Sequence, residues 1–157
     1  MSVREASAAD VERMAKLADE KRREYEPHAP MFQRPAADAL KTHQPWLAHL
    51  VESPEAGTFV HDDPDGDVDG FVVVTTLSAP PVYDPGGLSS VIDDFTVSEP
   101  EKWATAGAAL LDAARTWARQ RGAVQVVVVT GPHDEPKRAV LEAAGMYVVS
   151  EWFTTPL

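Results

Sequence analysis

The sequence predicts an α/β (α+β) layer domain, helices packed on a mixed central sheet, and three observations carry that expectation. Two strand-like runs in the middle, Gly57–His61 and Val68–Leu77, flank DDPDGD, whose Pro, Asp and Gly residues signal a tight hairpin. Segments with apolar residues at helical spacing lie on both sides of that hairpin. Near the end, a strand, a helix and a second strand follow one another, and Val124–Val129 holds five valines, the mark of a buried parallel strand. Such a pattern fits a sheet of about six strands with about four helices in a single unit spanning 1–157.

Each element has a local reason. Val3–Ala6 is a short first strand. Ser7 and Asp10 form an N-cap pair, and Val11, Met14, Leu17 and Ala18 then mark one face of a helix running to about Glu24. Glu26–Pro35 carries three prolines and excludes regular structure. A second helix passes through Leu40, Leu47, Leu50 and Val51, with a break or restart expected at Pro45. Phe71–Val74 is uninterrupted apolar, as for a strand covered on both faces. Ser78–Ser90 is a Pro- and Gly-rich loop, and Val91–Val97 is the next strand. A helix follows with Trp103, Ala106, Leu110, Ala113, Ala114 and Trp117 on one stripe and stops near Gly122. Asp134–Ala144 is a short helix with Pro136 in its first turn and Gly145 as its stop, and Met146–Thr155 is a final strand.

Composition narrows the function classes. The 157 residues include no cysteine, which excludes disulfides, thiolate catalysis and cysteine-ligated zinc. A formal charge of −11 argues against nucleic acid, which is bound through clustered Lys and Arg. No apolar run approaches a membrane span and the first ten residues lack an apolar leader, so no membrane partner and a cytoplasmic location are expected. His43, His49, His61 and His133 lack ligand spacing and read as surface or capping residues; no metal is expected.

The stretch from Asp93 to Arg121 carries the chemistry. A strand end followed by a loop and the start of a helix offers free N–H groups and a positive dipole end, a site for phosphates. Counting from Val97, Lys102, Trp103, Ala104, Thr105, Ala106 and Gly107 keep the spacing Arg/Gln-x-x-Gly-x-Gly/Ala, with Ala109, Leu110 and Leu111 after it. Through this motif, and through Asp134 and Gly145-Met146 downstream, nearly the whole chain resembles the GNAT superfamily of N-acetyltransferases. Lys102 stands for the Arg/Gln, Thr105 for the first glycine, and Trp103 where many members have glycine.

That resemblance implies acetyl-CoA as cofactor, held by Phe95, Val97, Lys102, Trp103, Ala104, Thr105, Ala106, Gly107, Ala108, Asp134 and Lys137. It also implies a carboxylate base on the preceding strand, where Asp93 and Asp94 are adjacent and point to opposite faces. Asp93 is preferred; a bulge would reverse the faces. The family's general-acid Tyr is replaced by Leu141, leaving Tyr147 or Tyr83 as substitutes. The acceptor side falls on Tyr25, His28, Met31, Phe32, Arg34, Tyr83 and Asp84.

Two functions follow from the resemblance. One is N-acetyl transfer from acetyl-CoA to a small-molecule amine or an amino terminus. The other is a non-catalytic module that senses an acyl-CoA or binds a protein. A single last strand would leave a sheet edge for a second copy, so a homodimer is expected.

Overall fold

The computed structural model describes residues 2–157. Its sheet has five strands in sequence order: β1 (Ser2–Glu5), β2 (Ala56–Asp62), β3 (Val68–Leu77), β4 (Leu88–Val97) and β5 (Ala123–Val128). The first four pair antiparallel, and β4 and β5 pair parallel. Four α-helices cover the sheet: α1 (Val11–Tyr25), α2 (Ala39–Glu52), α3 (Ala106–Gln120) and α4 (Glu135–Ala143). Among the described residues no helix is long and apolar enough to cross a membrane.

Each face of the sheet has its own core. Met14, Leu17, Leu47 and Leu50 of α1 and α2 bury against Val60, Phe71 and Val73. On the other face Leu110, Leu111, Ala114 and Trp117 of α3 pack on Val72, Val74, Ile92, Phe95 and Val97. The alternation Phe71/Val73 against Val72/Val74 therefore reads directly as a strand covered on both sides. Gly57 permits the approach of α3, because a Cβ there would lie 2.7 Å from the Trp117 ring.

The N-terminal cap forms as its residues imply. Asp10 accepts from the Ser7 backbone N–H at 2.7 Å, closing a short 3-10 turn before α1. The Arg4 guanidinium also grips Asp10, and with the Ser7 bonds it holds that carboxyl down to about 2.

Five expectations need correction. β5 is parallel to β4 but not buried: it is the outer strand, none of its residues is buried and Val124 is 54% exposed. Trp103 lies in the 3-10 turn Pro100–Ala104, before α3 opens at Ala106. Pro45 lies inside α2 without ending it, since one missing N–H is tolerated when Leu47 and Leu50 are anchored in the core. Met146–Thr155 forms no strand: it has no ladder partner, and the sheet ends at β5, one strand short of about six. The strict alternation assumed along β4 also fails. Val72 pairs with Phe95 but Val74 pairs with Ile92, so β4 carries an extra residue at Asp93–Asp94. That bulge keeps Ile92 and Phe95 in the same core although three positions separate them.

Candidate functional site

β4 and β5 run paired as far as Ile92 and Val128, and a last bond joins the Val129 N–H to the Ile92 carbonyl. Beyond that point β4 continues to Val97 against β3 alone. The unpaired flank of Asp93–Val97, the turn Pro100–Ala104 and the start of α4 thus converge on one crevice.

Lys137, in the first turn of α4, closes this crevice from within. Its Nζ donates to the carbonyl oxygens of Phe95 and Val129, each at 3.1 Å, spanning the point where the strands part. Only 3% of the residue is exposed. Burial pulls the Lys137 amine down to about 8, partly offset by the Asp134 charge.

Trp103 fills the other wall. It is 2% exposed, lies edge-on to Phe95 with ring centroids 4.8 Å apart, and belongs to the α3-side core. A Cβ on Gly107 would sit 2.5 Å from Trp103 Cε3, so Gly107 accommodates the indole. Residues Pro100–Ala104 form a 3-10 turn, and the Thr105 N–H and hydroxyl both turn back to the Lys102 carbonyl. Lys102 reaches away from the loop to Asp69, 2.9 Å off, which raises its pKa and also accepts from His61 Nδ1 at 2.6 Å. Glu99 and Glu101 flank the same turn on its exposed side.

Asp134 caps α4 and accepts from the Tyr25 hydroxyl at 2.5 Å, with Lys21 Nζ at 3.7 Å. Burial first, then the Asp134 contact, raises the Tyr25 pKa. Tyr25, Asp134, Trp103, Lys21, His28 and His133 line a pocket of about 190 Å³ over the crevice. His28 and His133 stack across its rim, centroids 4.6 Å apart.

The bulge aims Asp94 at α2. Its Oδ2 lies 3.0 Å from His43 Nε2, and His43 Nδ1 lies 3.0 Å from Arg22 Nη1. A guanidinium can only donate, so Nδ1 is the acceptor and Nε2–H donates to the carboxylate. Asp93, the preferred base, is exposed and makes no side-chain hydrogen bond. His43 and His61, read as surface or capping residues, are instead members of polar networks, half-buried for His43 and buried for His61. Arg22, 21 residues before His43, and Asp69, eight residues after His61, gave no spacing signal that could have found them.

The remaining candidates scatter. Tyr147 is 83% exposed on the tail and makes no hydrogen bond. Tyr83 and Asp84 line a separate pocket of about 440 Å³ under β4 and β5, with Val91 and Val127. Phe32 and Arg34 are exposed on the α1–α2 connection, and the Phe32 ring lies edge-on to Trp152 with centroids 6.3 Å apart. Leu141 is buried in the core with Phe95 and Trp103. Val97 lines that core as well, and the N–H groups of Ala106, Gly107 and Ala108 open α3 beneath Trp103.

A coenzyme A diphosphate does not fit these residues as they stand. The loop's one cation is held by Asp69, its outer face is acidic, and an indole occupies the space beside the glycine. The Phe95 carbonyl on the free flank of β4 is taken by Lys137.

No family profile matches the sequence, and no curated protein does. Solved structures match over the full chain. A mutant of the BH1408 protein from Bacillus halodurans superposes with a TM-score of 0.87 at 17% identity, over 100% of this chain and 99% of that one. A predicted acetyltransferase from Clostridium acetobutylicum, solved with acetyl-CoA, gives 0.73 at 16%, over 99% and 95%. An aminoglycoside 6'-N-acetyltransferase from Acinetobacter haemolyticus gives 0.73 at 12%, over 100% and 99%. By strand order, parallel β4–β5 pair and full-length superposition, the chain has the GNAT acetyltransferase fold, in a divergent form.

Proposed function

We propose that this chain uses the acetyltransferase fold as a binding module and does not transfer acetyl groups from acetyl-CoA. The observation that carries this reading is Lys137, whose enclosed amine bonds the carbonyls of Phe95 and Val129 where β4 and β5 part. A ligand laid along β4 must displace that amine and leave the buried Phe95 carbonyl to be satisfied anew. Trp103 adds a second obstacle, because it is buried between Phe95 and Gly107 in the α3-side core. The pocket left over the crevice, about 190 Å³, is below the roughly 300–1,000 Å³ of ordinary small-molecule sites.

A second reading, acetyl-CoA-dependent N-acetyl transfer to a small amine, is favoured by the bulge. It turns Asp94 out of the sheet towards α2 beside His43, where a carboxylate could take a proton from an amine. Thiol release separates the two readings. The chain has no cysteine, so a thiol reagent reads coenzyme A alone. With acetyl-CoA and a panel of amines, the module reading predicts no release above buffer; release that needs both partners establishes the transferase.

A further inference from the structure

α1 and α2 leave part of their face of the sheet uncovered. Their core takes Val60, Phe71 and Val73 from β2 and β3, and no side chain from β4 or β5. Val126 and Val128 face α3, so alternation turns Gln125 and Val127 to the uncovered side, in register with Ser89 and Val91. The connection 78–87 folds over this strip in place of a helix. Between strip and connection lies the cavity of about 440 Å³, larger than the space over the crevice and within the roughly 300–1,000 Å³ of small-molecule sites. It sits at the entry end of β4 and β5, where the strands are still paired. From Ser89 to Val97, at the mouth of the crevice, β4 runs on for about 26 Å.

The lining carries one sign of charge. Leu77, Pro80, Pro85, Val91 and Val127 make apolar walls, and Asp84 is the one charged residue among the described lining residues. Its Oδ1 accepts from the Gly86 N–H at 2.9 Å, while Oδ2 has no partner among the described residues. Tyr83 beside it is 72% exposed. At the floor the polar pair satisfies itself, because Gln125 Nε2 donates to Ser89 Oγ at 2.7 Å. The loop is set before any ligand arrives: the Tyr83 N–H bonds the Pro80 carbonyl at 2.9 Å, and Pro80, Pro81 and Pro85 each fix φ.

We propose that this cavity binds a hydrophobic organic cation, an aromatic ammonium compound whose ring lies on Val91 and Val127 and whose charge sits between the Tyr83 ring and the Asp84 carboxylate. An anion would meet a carboxylate and no cation. A neutral ring would fill the walls and leave the carboxylate unused, whereas an ammonium gains both the carboxylate and the aromatic face. The formal charge of −11 also draws cations towards the surface. This inference goes beyond the module reading of the crevice and is independent of it; thiol release from acetyl-CoA would overturn that reading and leave this one standing.

The test is calorimetric titration of the intact chain with benzyltrimethylammonium, with methyl NMR to place the ligand. A quaternary ammonium has no N–H to acylate, so its binding is read apart from any transfer reaction. Saturable binding with a Kd of about 1 mM or tighter is expected for a ligand of this size, with shifts at the Val91 and Val127 methyls. Asp84→Asn and Tyr83→Ala, both at exposed positions, should each weaken it about threefold or more with unchanged circular dichroism. Benzenesulfonate, of similar size and opposite charge, should not bind at the same concentration. No saturable binding overturns the proposal, as does binding that either substitution leaves unchanged, or equal binding of benzenesulfonate.

Discussion

Trp103 lies against Gly107 so closely that a single methyl group at residue 107 would sit 2.5 Å from the indole. A motif glycine that in sequence reads as room for a diphosphate is here room for a side chain. Gly107→Ala should therefore destabilise the fold by about 1–3 kcal/mol through overpacking, although alanine is the better helix former. Urea unfolding checks this; a stabilised variant would show that Trp103 yields easily.

Lys137 makes stability depend on pH in a defined direction. Its folded pKa, about 8, lies below the ordinary value of 10.5, so between those values the unfolded chain binds more protons. Stability should then rise as pH climbs from 8 to 10, and below pH 8 the full cost of burying the charged amine is present. The total swing is of order 3 kcal/mol for a shift of this size. Unfolding measured at pH 7, 8, 9 and 10 should show the climb in the wild type and lose it in Lys137→Met.

Asp10 works at the other end of the scale. With its carboxyl held at about 2 by Arg4 and Ser7, its contribution is present above the ordinary carboxylate range and disappears as pH falls from 4 towards 2. Asp10→Ala should cost about 1 kcal/mol at neutral pH as a lost cap and flatten the acid limb of the stability profile. An acid limb unchanged in that variant would assign it to other carboxylates.

The Tyr25–Asp134 bond ties α1 to the start of α4 over the crevice. Tyr25→Phe should lose about 1.5–3 kcal/mol, the range for a hydrogen bond to a charged group. Hydrogen exchange should quicken in the first turn of α4 while α3 is unaffected. Uniform quickening would mean that the bond supports the whole fold and not this junction.

Much of the architecture was legible because it is written in local patterns. The valine run of β5, the turn residues of DDPDGD and the stripe from Ala106 to Trp117 each fix an element by local pattern alone. The spacing from Lys102 to Gly107 likewise placed the loop at the right strand end. What periodicity cannot reveal is direction. Lys102 turns to Asp69 and Lys137 turns into the crevice because those partners exist only after the strands assemble. The bulge at Asp93–Asp94 was equally hidden, since either alternation is compatible with the residues IDDF. Met146–Thr155 has the composition of a strand, but a strand forms only where an edge receives it.

Acetyl-CoA binding is the most direct test of the closed crevice. A ligand present at about 100 times its Kd would add roughly 2.7 kcal/mol, a shift of a few degrees in melting temperature. The structure predicts no shift for the wild type with millimolar acetyl-CoA, because Lys137 and Trp103 hold the space. A saturable upward shift, matched by calorimetric binding to the same protein, would contradict the account.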